Sequence, residues 1–71
     1  MKLNKIIWLL SNSTCSMEQI GNYFNVGRKV IERINSGKTH YSKKLSYPIR
    51  KIRKRSKETV KEALIKGGFN E

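Results

Sequence analysis

Arg28, Lys29, Glu32 and Arg33 are the side chains best equipped for chemistry in this sequence, and the chemistry they suit is recognition. Arginine presents a rigid fork of N–H donors that matches the oxygens of an anion two at a time. A glutamate in their midst can pair with the arginine four residues back. Bond-making chemistry is poorly provided for, since the chain has one histidine, His40, one cysteine, Cys15, and no aspartate. Neither a Ser-His-Asp set nor a zinc site can be assembled from these, so no catalytic residue, no metal and no cofactor is expected. His40 reads as a phosphate-facing or surface histidine, and Cys15 as a small buried or half-buried residue.

The net charge is +11 over 71 residues, and its placement says more than its size. Residues 28–57 hold twelve Lys or Arg against Glu32 alone, whereas the segments before and after carry only +1 and −1. A merely solvated surface mixes the signs more evenly, so a polyanionic partner is expected. A membrane-active cationic helix fits less well, because charge and apolar stripe occupy different segments. One cysteine forms no internal disulfide, which suits a reducing compartment. Met1-Lys2 and the run Ile6 to Leu10 imitate a secretion signal, but the run is shorter than the roughly 7–15 apolar residues such a segment needs. Asn12-Ser13-Thr14 also lacks the aliphatic residue of a lipid-attachment site before Cys15. A cytoplasmic protein, of a bacterium or a phage-infected cell, is the expectation.

The elements that must position the basic residues follow from apolar period. Leu3, Ile6, Ile7 and Leu10 recur at i, i+3, i+4 and i+7, and Trp8 and Leu9 widen this stripe of a first helix. Ser11 to Ser16 reads as a polar loop. Ser16-Met17-Glu18-Gln19 has the form of a capping box opening a second helix, which presents Met17, Ile20, Tyr23 and Phe24 inward. Asn25-Val26-Gly27 breaks the pattern. Period returns from Arg28 to Asn35 with Val30, Ile31 and Ile34 apolar, and Ser36-Gly37 ends that third helix. Residues 38–47 show no clear period, and Pro48 pushes Tyr47 toward extended backbone. Ile49 to Arg55 is a basic run with two apolar anchors, readable as strand, arm or helix. Ser56 can cap a last helix over about 57–66, with Val60, Ala63 and Leu64 on one face.

The spacing within Ser16 to Gly37 meets a tighter test. Gly21 is small where one helix would cross another, Phe24 follows three residues on, and Asn25 can take a positive φ. Val26 can plug the gap, and Ile31 and Ile34 fall ten and thirteen positions after Gly21. These residues resemble the bacterial and phage helix-turn-helix family, which includes repressors, resolvase DNA-binding domains and sigma factors. Asn25 in place of the more usual Gly, and Gly27 where Ser or Thr often caps, are the departures. The resemblance implies that the helix from Arg28 lies in the major groove of DNA, with Arg28, Lys29, Glu32 and Arg33 meeting base edges. It implies guanine O6 and N7 as partners of Arg28 and Arg33, and cytosine N4 as the donor to Glu32, whose pairing with Arg28 stays the open alternative. It also implies that leucine at position 21 forces the two helices apart, whereas alanine fits and adds helix propensity.

Ile34-Asn35-Ser36-Gly37-Lys38-Thr39-His40-Tyr41, followed by Tyr47-Pro48-Ile49-Arg50, is similar to phage-type helix-turn-helix modules, free-standing or attached to HNH homing endonucleases. The backbone-contact set read from this segment is Ser36, Lys38, Thr39, His40, Tyr41, Lys43 and Lys44. Arg50, Lys51, Arg53, Lys54 and Arg55 resemble the basic arms that enter a minor groove beside such a motif. The expected fold is all-α, one domain over 1–71. It comprises a three-helix helix-turn-helix unit (motif about 16–37), a basic connecting segment (38–57) and the C-terminal helix. The expected function is sequence-specific binding of double-stranded DNA, in phage or mobile-element transcriptional control. A DNA-targeting accessory of a nuclease or recombinase, and an RNA-binding protein, are the alternatives. Val60, Leu64 and Phe69 have two possible uses, a homodimer interface or a cover for the first helix.

Overall fold

The apolar stripes of the sequence fold as helices that share one core. The computed structural model describes residues 3–52 and 56–69. Among them are four helices and no strand, α1 (Leu3–Asn12), α2 (Met17–Tyr23), α3 (Arg28–Ser36) and α4 (Val60–Lys66), so the fold is all-α. Ile6, Leu9 and Leu10 of α1, Ile20 of α2, Ile31 and Ile34 of α3, and Val60, Ala63 and Leu64 of α4 are buried together with Cys15. α1 touches the other three helices, and the α2–α3 pair is the most closely packed. Val60 and Leu64 thus lie in the chain's own core, and Phe69 packs edge-on against Trp8 of α1 with ring centroids 5.6 Å apart. Of their two possible uses, the cover over α1 is the one observed. No helix among the described residues is long and apolar enough to cross a membrane.

Local chemistry sets the helix ends. Ser16 Oγ accepts the Gln19 N–H at 3.1 Å, and Gln19 Oε1 accepts the Ser16 N–H at 2.9 Å, so the expected capping box opens α2. α4 starts later than expected, because Thr59 rather than Ser56 is its cap. Thr59 Oγ1 accepts from Glu62 N–H, and Glu62 Oε1 accepts from Thr59 N–H, a complete box. Ser56 to Glu58 are instead tied to the α1–α2 loop and the first turn of α2. Ser56 Oγ donates to Gln19 Oε1, Lys57 N–H to Thr14 Oγ1, and Thr14 N–H to Glu58 Oε1. The Thr14 N–H bond first, and Lys66 beside it, hold the Glu58 carboxyl below its usual range against the opposing effect of burial. Tyr23, expected inward, is 38% exposed and lies edge-to-face on Phe24.

Between α2 and α3 the chain reverses within four residues. Asn25 takes the left-handed region at φ 58°, and Val26 N–H donates to Gly21 O at 2.8 Å. Gly21 is buried. A Cβ built on it would lie 2.9 Å from the Val26 carbonyl oxygen, a backbone atom that cannot swing away. The residue that limits position 21 is therefore the turn itself, and the expectation that alanine fits there is corrected.

The most connected side chain is Arg50. Its Nε donates to Leu10 O (3.2 Å), Nη1 to Cys15 O (2.6 Å), and Nη2 to Leu9 O (3.0 Å) and Ser13 O (2.9 Å). The last turn of a helix leaves carbonyls without intrahelical donors and carries partial negative charge, so a cation fits there. The backbone of Arg50 is held in turn by Asn35 of α3. Arg50 N–H donates to Asn35 Oδ1 at 2.6 Å, Asn35 Nδ2 donates to Arg50 O at 3.3 Å, and Ile49 N–H donates to Asn35 O at 2.8 Å. One residue thereby joins the end of α1, the following loop and the end of α3. Burial pulls the Arg50 guanidinium below its ordinary pKa, with nearby Cys15 opposing the shift. An arginine stays charged regardless. Burial likewise pushes the Cys15 thiol up.

Two stability outcomes follow from these contacts. Gly21→Ala and Gly21→Leu should both melt below the parent in circular dichroism. Overpacking costs about 1–3 kcal/mol, against a propensity gain of about 1 kcal/mol for alanine. An alanine variant that melts above the parent contradicts the close approach of Val26 O. Arg50→Met leaves the Leu10, Ser13 and Cys15 carbonyls short of donors, Leu9 O keeping Ser13, and should lose about 3 kcal/mol or more, a large share of what a domain this size has. Arg50→Lys should recover only part, because one ammonium cannot reproduce the fork. Parent-like melts for both would contradict the central role given to this side chain.

Candidate nucleic-acid interface

α3 turns two faces to different environments. Ile31, Ile34 and Asn35 are buried on one side, while Arg28, Lys29, Glu32, Arg33 and Ser36 are exposed on the other. The four residues assigned to base edges therefore share one outward face. Lys29, Glu32, Arg33, Ser36 and Lys38 line an open groove along it. A second hollow, between the start of α2 and α3, is lined by Ser16, Met17, Glu18, Arg28, Glu32, Asn35 and Arg50. Glu32 borders both. Arg28 Nε lies 3.2 Å from Glu32 Oε1, so the i,i+4 pair left open by the sequence is formed.

Gly37 ends α3 in the left-handed conformation at φ 81°, with its N–H on Ile34 O and the Lys38 N–H on Arg33 O. A Cβ at this glycine would lie 2.9 Å from the Tyr47 ring, so both backbone and space demand glycine. Tyr47 organises the loop beyond. Its ring stacks on Tyr41 at 5.2 Å, and its hydroxyl accepts the Ser42 N–H at 2.9 Å. Residues 38–47 are thus neither helix nor strand but a loop folded around one tyrosine, next to the C-terminal end of α3. The Tyr47–Pro48 peptide bond is cis, and His40 takes a positive φ of 54°.

Lys38, His40, Tyr41, Lys43, Lys44 and Lys51, read from the sequence as backbone contacts, are all exposed. Ser36 is exposed too, and its hydroxyl donates to Arg33 O. Two members of that set are corrected. Arg50 is buried with four of its five N–H donors on main-chain carbonyls, so it is a core tie rather than an outward phosphate contact. The Thr39 hydroxyl is buried without a hydrogen-bond partner among the described residues, and it is not presented to a ligand. Arg53, Lys54 and Arg55 lie outside the described residues. Asn35 and Tyr47 stand in the sequence only as parts of a motif, with no role assigned, yet they fix the segments that carry the cations.

Electrostatically the region is one-sided. Glu32 is its sole acid in the sequence from 28 to 57, and Glu18 stands across the second hollow from Arg28. The arrangement can neutralise a line of negative charge and offer planar donors at its centre. Among the described residues, no three His, Cys, Asp or Glu side chains come together as metal ligands. No family model matches the chain, and neither a curated protein nor a solved structure is found to match it.

Proposed function

We propose that this protein binds double-stranded DNA in a sequence-specific manner, with α3 in the major groove and the loop 38–47 on flanking phosphates. Transcriptional control in a phage or mobile element is the setting this reading favours. The observation that carries it is the outward face of α3, where Arg28, Lys29 and Arg33 stand exposed while the opposite face is fixed against α2. An α-helix with its side chains is about 10–12 Å across, and the B-DNA major groove is about 12 Å wide. Arg28 and Arg33, five residues apart, are separated by about 7.5 Å along the helix axis, roughly two base-pair steps. Lys38, Lys43, Lys44 and Lys51 extend the positive surface beyond the helix end, where the duplex backbone would pass. The deep, narrow major groove of A-form RNA excludes a helix, so duplex DNA is the better match.

Measured binding to a duplex selected from random sequences tests this reading. Eleven cations remain in residues 28–57 once Arg50 is set aside. If about half to two-thirds of them meet phosphates, log K against log[salt] should fall with a slope of about −5 to −6.5. Arg33→Ala should cost about 1–3 kcal/mol on the selected duplex and relax preference at one position. Lys44→Ala should weaken selected and scrambled duplexes alike and flatten the slope by about one. A parent slope shallower than about −2, or displacement of the duplex by structured RNA at lower concentration than by DNA, would contradict the proposal.

A further inference from the structure

Resting on that DNA reading, we propose that Glu32 is the specificity filter of α3. It repels phosphate from the helix face and holds Arg28 for a base edge, and it is not itself a base acceptor. Successive residues turn by about 100° around a helix, which puts Arg28, Glu32, Ser36, Lys29 and Arg33 in that order across about 140° of surface. The lone carboxylate of the stretch therefore sits inside the cationic face rather than at its rim. It borders the groove formed with Lys29, Arg33, Ser36 and Lys38, and its Oε1 lies 3.2 Å from Arg28 Nε. Both partners are half-exposed, and exposed i,i+4 pairs contribute too little to stability to explain a negative charge at this place.

The charge bears differently on two kinds of docking. A phosphate seated against Lys29 and Arg33 must approach the Glu32 carboxylate, so backbone-only engagement of α3 is penalised. A guanine edge carries no net charge and meets no such repulsion. With Nε turned to Glu32, Arg28 has Nη1 and Nη2 left as the outward edge for a bidentate contact. Discrimination against the wrong docking is a recognised route to specificity, since specificity is a difference of two affinities.

Glu32→Gln keeps the shape and removes the charge, and Glu32→Asp keeps the charge on a shorter stem. Dissociation constants for a selected and a scrambled duplex at several salt concentrations, with melts to verify folding, decide the matter. Expected for Glu32→Gln is about three- to tenfold tighter binding of the scrambled duplex, with a salt slope steeper by about one. The selected duplex should gain less, and the guanine preference lost in Arg28→Ala should broaden while other positions hold. Glu32→Asp should keep the scrambled duplex at parent affinity. If Glu32→Gln weakens only the selected duplex, the residue is a base acceptor and the filter is wrong. Equal tightening of both duplexes also overturns it, as does a Glu32→Asp that behaves like Glu32→Gln. In each of those cases a parent that still prefers its selected duplex leaves the DNA reading standing. A parent that binds neither duplex overturns both.

Discussion

Four backbone carbonyls converge on one guanidinium, and the rest of the fold is arranged around that convergence. The end of α1 and the loop after it turn Leu9, Leu10, Ser13 and Cys15 oxygens toward a single point. Buried carbonyls without donors are costly. Ser13 already serves Leu9 O through its hydroxyl and its N–H, whereas the Leu10, Ser13 and Cys15 oxygens depend on Arg50. Arg50 reaches them from 35 to 40 residues away in sequence, a long-range tie in a domain too small for a large core. Because Asn35 grips the Arg50 backbone, the same tie fixes the end of α3 relative to α1.

That arrangement explains how a short chain keeps one helix face clear. α3 is held on its inner side by Ile31 and Ile34, at its start by the Gly21–Val26 turn, and at its end by Asn35 and Gly37. None of these contacts uses the outward residues. The cations of α3 and of the Tyr47-centred loop are left to solvent on a rigid support, which is the condition for placing donors within the tolerance that recognition demands. Rigidity and exposure come from opposite sides of the same nine-residue helix.

Most of the helical fold was legible because periodicity and caps are local signals. Ser16 and Gln19, Asn25 and Gly37 each act within a few residues of themselves, and each behaves as its chemistry requires. The Thr59–Glu62 box was equally local but was masked by Ser56, a good cap whose position lacks a returning Glu or Gln three residues on. Arg50 was not legible as a core residue, because within Ile49 to Arg55 it looks like its neighbours. The available clue lay elsewhere: Asn35 falls four residues after Ile31 on the buried stripe, and a buried amide needs partners. Gly21 was read correctly as close-packed but wrongly as tolerant of alanine, since spacing gives the place of a contact and not its clearance. Tyr47 gave no local sign that its ring would close under Gly37. For the candidate site, the sequence identified the exposed cations of α3 by default of the apolar stripe, and it missed the residues that hold them in place.

In the proposed complex two arginines of α3 face duplex DNA, while a third, chemically identical, is locked inside the fold. A ¹⁵N–¹H spectrum that resolves the arginine Nε–H signals, recorded while a selected duplex is added, addresses this directly. Arg28 and Arg33 Nε–H resonances should shift with the duplex. The Arg50 Nε–H, bonded to Leu10 O, should stay in place and remain slow to exchange. A shifting Arg50 signal with unmoved Arg28 and Arg33 would contradict the assignment of both the support and the surface.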